Sequence, residues 1–333
     1  PELEIATTFD EDLLYQVFRS YPEWTGVSTS QLRPRHLALV SRPGVTAIGK
    51  LLSMFERAAG PSLQALLTIM AALIKKAGGT RLIGLIDTLL RCYARYRVWE
   101  TRRALEPRLE RPYLQAAPGR GPMQAVVAQA LAAEIAVSKG HGAIAPMIDL
   151  ENSTSRTVTE IYLGLRRVGV PHRVVGVLRR LYLAARRLAV GSMVSSAFYP
   201  RQSIIAGCTW ATIAVRAIVI PHLDRYLEVV HAGVPPPFSV SMCIFIDDAT
   251  VQTTGPLQDL VSHHTESTDE LLHTLKHRLR KTWSSSKAAL VCSHASLRWR
   301  LRRYARDRGI SVRMNNPHLG VDFAAGGFLA RRI

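Results

Sequence analysis

Two stretches near the N-terminus space their apolar residues three and four apart, so 9–20 and 46–59 predict amphipathic helices. The pattern then changes. Residues 65–74, ALLTIMAALI, are almost wholly apolar, and the paired glycines of AGGT at 77–80 signal a turn. From Leu82 onward apolar residues return to helical spacing, and Arg91, Arg95 and Arg97 predict a helix with one basic face. Residues 122–138 predict another helix, rich in alanine. GAIAPMIDL (142–150) is a short apolar run ending in Asp149 and Leu150, which reads as a buried strand in spite of Pro146. Helical spacing resumes from Thr157 to Leu183 with a break at GVPH, 169–172. RRLAVGSMVSSAFYP has two β-prone halves around Gly191-Ser192, a hairpin signal.

GCTWATIAVRAIVIPHLDRYLEVV opens on Gly207 and predicts a helix kinked or broken at Pro221. FSVSMCIFIDDATVQTT reads as strand, turn, strand, with Asp247 and Asp248 at the turn. A helix over 268–282, a strand over 286–292 and a short strand over 318–323 complete the pattern. From Gly142 on, strands and helices interleave around an antiparallel element. The expected fold class is therefore α+β, a sheet covered by helices on one face, rather than a doubly wound parallel sheet.

Composition narrows the partners. Of 333 residues, 47% are hydrophobic, enough for a substantial core. Lys and Arg number 43 against 25 acidic residues, a formal charge of +18. Such a chain repels itself unless a polyanion offsets the charge, with nucleic acid the first candidate and an anionic membrane surface the second. A soluble protein of a GC-rich genome, in which codon bias makes arginine frequent, is the plain alternative. Cys92, Cys208, Cys243 and Cys292 are far apart, without zinc-site or disulfide spacing, which points to a reducing, intracellular compartment, nucleus or cytoplasm, and no secretion. The longest apolar run is far short of the roughly 20 residues that span a bilayer. The chain begins with Pro1, so it reads as a piece of something longer.

The candidate chemistry lies in two aspartates at strand ends, Asp149 and Asp247. If their strands are neighbours, both carboxylates sit at one rim and repel unless a divalent cation lies between them. Hard oxygen ligands point to magnesium or manganese. Two such ions roughly 3.5–4 Å apart serve in-line phosphoryl transfer. Taken alone, IDD also fits a solvated turn. His263, His264, His273 and His277 fit a solvated helix face better than a metal site. SLRWRLRRYARDR, 296–308, fits either a nucleic-acid stacking face or a plain amphipathic helix.

Six stretches in order resemble the reverse transcriptase domain of non-LTR retrotransposons and group II introns, over about residues 72–323. ALIKKAGGTRLIGLIDTLLRCYARYR is similar to the fingers motif and MIDL to the first palm aspartate. AGCTWAT is similar to the stretch that backs the template, and FIDD to the aromatic-x-Asp-Asp turn. SKAALV resembles the lysine motif and HLGVDF the primer grip. The resemblance implies a right-hand polymerase: a ferredoxin-like antiparallel palm with helices on one face, plus helical fingers. Its domains would be an N-terminal helical extension at 1–60, fingers at 61–141 and palm at 142–333, with the thumb missing.

The activity implied is RNA-directed DNA synthesis with two Mg2+ ions, Mn2+ being possible. RNA template, DNA primer and deoxynucleoside triphosphates would be the partners. Asp149, Asp247 and the Leu150 carbonyl would hold metal, with Asp248 secondary. Lys75, Lys76 and Arg81 would contact the nucleotide, Gly207 would admit the template pair, and Lys287 would give a proton to pyrophosphate. The chain departs from the family at Ser153, Thr154 and Ser155, where an aromatic residue excludes ribonucleotides, and at Ala206, Thr209 and Leu82. An inactive nucleic-acid-binding remnant and an RNA-dependent RNA polymerase remain as alternatives.

Overall fold

The computed structural model describes all residues except 58–59, 75–79, 118, 152–155, 203, 246–247, 319–320 and 326–333. The chain opens with helices α1 (Glu11–Arg19), α2 (Pro34–Leu37), α3 (Arg42–Arg57) and α4 (Leu63–Leu66). Strands β1 (Thr68–Ile74) and β2 (Thr80–Leu85) precede the long helix α5 (Thr88–Leu109) and α6 (Pro122–Ser138). Next come β3 (Gly142–Glu151), α7 (Val158–Arg167), α8 (His172–Leu183), β4 (Arg186–Val190), β5 (Met193–Val194) and α9 (Ala211–Gly233). The hairpin β6 (Ser239–Phe245) and β7 (Asp248–Gly255) leads to α10 (Leu260–His273). The last elements are β8 (Thr282–Trp283), β9 (Ala289–Cys292), α11 (Ala295–Asp307), β10 (Ser311–Arg313), β11 (Asn316–His318) and β12 (Val321–Phe323).

Contacts divide the chain into two compact units, and the division falls inside α9. The first holds residues 1–109 and 154–218, the second 110–153 and 219–333. The fold is α+β, as expected. Among the described residues no helix is long and apolar enough to cross a membrane.

The first unit is built around α5 and a mixed sheet in the order β2-β1-β4-β5. Its local signals are strong. Asp10 caps α1 by accepting from the Leu13 N–H at 2.7 Å, and Leu14, Val17 and Phe18 are buried. Thr157 and Glu160 form a reciprocal capping box at the start of α7. The predicted fingers region is not purely helical: β1 and β2 pair antiparallel, and helix α5 starts only at Thr88. A basic face on α5 is also a misreading. Arg91 donates to the carbonyls of Gly26 and Ile86, Arg95 lies 3.6 Å over the Tyr21 ring, and Arg97 is buried against Glu56. These arginines hold the unit together instead of facing solvent.

The second unit is a sheet in the order β10-β9-β3-β7-β6, with β8 pairing the end of β3. β9–β3, β3–β7 and β7–β6 are antiparallel, and β10 joins β9 in parallel, so the sheet is mixed rather than antiparallel throughout. Pro146 is accommodated in the central strand. The ladder to β7 lapses at Ala145 and Pro146, where proline has no N–H, and resumes at Met147 in the same register.

Alternate residues of β3 and β9 enter different cores. Ile144, Leu290 and Cys292 pack with Leu260, Leu297 and Leu301 from α10 and α11. Ala143, Ala145, Met147 and Val291 pack with Val126, Ala133 and Phe323 from α6 and β12. Strand side chains alternate in direction, so helices cover both faces, not the one expected. Ridding both faces of water explains why β3 reads as a continuous apolar run.

The helix predicted over 268–282 begins earlier, at Leu260, and passes into one π turn at Thr274–Arg278. This brings His264 inward, and the expectation of a solvated histidine face fails there. His264 is fully buried, with Nδ1 at 3.1 Å from the Thr253 hydroxyl and Nε2 at 3.3 Å from that of Thr268. Burial pushes its pKa from 6.5 down to about 3. The fold thus holds the neutral ring while the unfolded chain takes a proton below about pH 6.5. The stabilisation is complete above that pH and is lost as pH falls toward 3. Between pH 6.5 and 4.5 the protein should lose about 2 kcal/mol more stability than His264→Gln. Urea melts of both proteins across that range measure the difference, and parallel pH profiles would refute it.

Candidate functional site

The sheet of the second unit brings most of the predicted palm residues to one end. β3 ends at Glu151, and β7 starts at Asp248. The two strands are hydrogen-bonded neighbours, and their register sets Asp149 directly opposite Asp248. Directly opposed residues point to the same face with Cβ atoms about 4.5–5.5 Å apart, and like charges there are destabilising. On the other side of β7, Asp248 faces Phe245 of β6, so β6 ends beside the end of β3. Asp247 falls in the β6–β7 connection, outside the described residues.

A third segment closes on the same end. β8 pairs Trp283 with Leu150 and Thr282 with Glu151. The Ser284 N–H donates to the Asp149 carbonyl at 2.9 Å. Residues 284–288 then turn, with the N–H groups of Lys287 and Ala288 both donating to the Ser284 carbonyl. The turn aims Lys287 back at the strand end, and its Nζ lies 2.6 Å from Asp149 Oδ2. The lysine is 66% exposed and the aspartate 28%, so water screens the pair and reaches the carboxylate. Behind them, burial first and the charge of Asp248 second push the Cys243 thiol up to about 12.

The hairpin β11–β12 lies on the Asp149 side of the sheet. Asn316 donates to Met147 Sδ at 3.5 Å, and Phe323 packs in the core that Met147 shares. Met147 and Asp149 are two apart on one strand, so they point the same way. The stretch likened to a primer grip is therefore a hairpin on the aspartate face. Sequence reasoning placed 318–323 as one strand; Asn316–His318 supplies its partner.

The donor set at this end suits a hard divalent cation: two carboxylates, with the Leu150 carbonyl one residue beyond Asp149. The Lys287 ammonium on Asp149 Oδ2 shows that positive charge is held at that oxygen. Among the described residues no group of three or more His, Cys, Asp or Glu side chains gathers to hold a metal. Ser284 and Trp283 were missed from the sequence. Only the serine run of WSSSK marked that turn.

The remaining predicted residues, Ser153 apart, belong to the first unit. Lys75 and Lys76 fall in the β1–β2 connection, outside the described residues, as do Ser153, Thr154 and Ser155. Arg81 is exposed on β2 opposite Leu73. Gly207 has φ +101°, and a Cβ there would sit 3.1 Å from the Gly84 carbonyl oxygen. Next to it, the Gly84 N–H donates to the Ala206 carbonyl at 2.8 Å. Gly207 thus lets its loop lie on the edge of β2, a conformation that favours glycine.

No known family model matches the chain, and no curated protein matches its sequence significantly.

Proposed function

We propose that the chain is the palm and fingers of a reverse transcriptase-like nucleotidyltransferase, which extends a DNA primer along an RNA template. The observation that carries this reading is the register of Asp149 opposite Asp248 at the mouth of the β6–β7 hairpin. Two adjacent strands that end in opposed carboxylates, with an exposed lysine between them and solvent, are a poor arrangement for stability alone. The arrangement suits a reaction that concentrates negative charge.

In this reading Asp149, Asp248 and the Leu150 carbonyl, together with Asp247, hold Mg2+ or Mn2+. Two such ions, when bound, supply activation of the primer hydroxyl and charge neutralisation on the leaving pyrophosphate. The protein residues do the rest. Lys287 exchanges its carboxylate partner for the pyrophosphate and hands it a proton from Nζ. The charge of the triphosphate makes electrostatic positioning the main contribution a protein can offer. The Phe323 hairpin supports the primer end.

The test is extension of a labelled DNA primer on an RNA template with deoxynucleotides and Mg2+ or Mn2+. The expected result is templated extension that stops on chelation. No extension with either metal would refute the reading and leave a nucleic-acid-binding remnant. Unprimed incorporation of ribonucleotides would replace it with an RNA polymerase.

A further inference from the structure

We propose that the outer face of α11 is a docking strip for single-stranded nucleic acid, in which Arg298, Arg302, Arg303 and Arg306 bind phosphates and Trp299 stacks on a base. Three observations lead there.

The first is how α11 divides its side chains. Leu297, Leu301 and Ala305 are buried in the core with β9. One of its cations and the flanking arginine have structural roles. Arg300 donates to the carbonyls of Leu257 and Gln258. Arg308, just past the helix, grips both oxygens of Asp269 and lies 3.8 Å over the Tyr304 ring. The other four arginines are exposed, and among the described residues none of them forms an ion pair.

The second is their spacing. At roughly 100° per residue, Arg298, Arg302, Arg306, Trp299 and Arg303 fall in that order within an arc of about 140°. At ~1.5 Å rise per residue the stripe is about 12 Å long, the reach of three or four phosphates at the ~3.4 Å spacing of a stacked strand. Trp299 stands in it 71% exposed, where its ring buries little for the fold. A guanidinium row around an exposed indole matches the two things every single strand offers, phosphates and flat bases.

The third is direction. β9 runs antiparallel to β3, with Ala289 opposite Met147 and Cys292 opposite Ile144, and so leads away from Asp149. β10 runs parallel to β9, with Ser311 opposite Ala289. The connecting helix α11 must therefore run back, so its Arg306 end lies toward the aspartate end of the sheet. The strip leads to the candidate site without being part of it.

An anionic membrane is the competing polyanion. A helix that lies on a bilayer presents a broad apolar face to it. Here the apolar side is buried in the protein core, and Trp299 is the one apolar residue in the stripe. The charge complements phosphate, and the shape favours a strand.

The strip does not depend on catalysis, and a chain inactive in primer extension should still show it. The test is fluorescence anisotropy of a labelled oligo-uridine RNA titrated with the full chain over a salt series. Each single-strand phosphate contact adds about 0.7 to the slope of log affinity against log salt. Arg302→Gln/Arg303→Gln/Arg306→Gln should flatten that slope by about 2, and glutamine keeps the helix propensity. A charge-matched control on the first unit, Arg57→Gln/Arg102→Gln/Arg103→Gln, should change it by less than about 0.7. Trp299→Ala should weaken binding about tenfold with the slope unchanged. Equal slopes for the two triple variants, or full affinity in Trp299→Ala, would overturn the proposal. Loss of binding to phosphatidylserine vesicles by the α11 triple variant, with RNA binding intact, would overturn it in favour of a membrane.

Discussion

Asp149→Asn is expected to reduce primer extension at least ~1,000-fold while changing thermal stability by less than about 1 kcal/mol. The two halves of this expectation have different sources. Removing the carboxylate removes an anionic oxygen from the end of the sheet, where the proposed reaction needs fixed charge to hold divalent ions. In stability the losses and gains are both small. Opposed like charges on a strand pair cost roughly 0.2–1 kcal/mol, and asparagine relieves that between positions 149 and 248. Against this stands the lost Lys287 pair, which at 66% lysine exposure is screened to a similar size. A second readout separates a metal role from a structural one. A ligand that binds only the folded state stabilises it by RT ln(1 + [L]/Kd), about 1.4 kcal/mol at ten times Kd. Millimolar Mg2+ should raise the melting temperature of the parent and leave that of Asp149→Asn unmoved. An equal rise in both proteins would remove Asp149 from the metal site. Retained extension activity would remove it from the reaction.

Where a residue's role depended on its own neighbourhood in sequence, the reading from sequence held. The antiparallel pairing of β6 with β7, the strand ending beyond Asp149, the Gly191-Ser192 hairpin and the break between α7 and α8 all follow from short apolar runs and turn residues. Pairing was less legible. Nothing in the composition of SVR, 311–313, distinguishes it from a loop, because a three-residue edge strand has too few positions to show a period. Its parallel pairing with β9 needs α11 as a crossover, and so depends on tertiary packing. Covering both faces of the sheet was hidden for a similar reason. The alanines of α6 look like a weakly charged surface helix, yet Ala133 lies against Ala143, Ala145 and Met147. Charge was the least legible property. Arginine is read as a surface residue by default, because it is almost never fully buried unless paired. The sequence does not show which of the 43 basic residues have partners. Arg91, Arg95 and Arg97 of α5 are consumed by the fold, and the four arginines on the outer face of α11 are not.

Glu56→Ala should therefore destabilise the first unit by about 3 kcal/mol, the largest stability effect expected of any single surface-looking charge in the chain. Glu56 ends α3 with its side chain 2% exposed, and Arg97 on α5 is fully buried against it. The guanidinium spans both carboxylate oxygens, from Nε at 2.7 Å and Nη2 at 3.0 Å. Tyr93 donates to the same carboxylate at 2.9 Å, and Arg173 of α8 lies 3.1 Å from it. One carboxylate thus ties three helices together. Truncation leaves two arginines and a phenol facing a cavity, and an uncompensated buried charge typically costs 3–5 kcal/mol. Arg97 keeps Glu100 as a partner and the Phe9 ring 4.1 Å from its guanidinium carbon, which places the cost at the lower end. A matched apolar pair tests the cause. Glu56→Met with Arg97→Met removes both charges and fills the space, and should recover most of the loss. Hydrogen exchange of the α3, α5 and α8 amides reads the first unit directly, without assuming that the two units unfold together. Protection in Glu56→Ala should fall by about 3 kcal/mol and return in the double variant. If Glu56→Ala stays within about 1 kcal/mol of the parent, Arg97 finds water or Glu100 instead, and the three helices do not depend on this carboxylate.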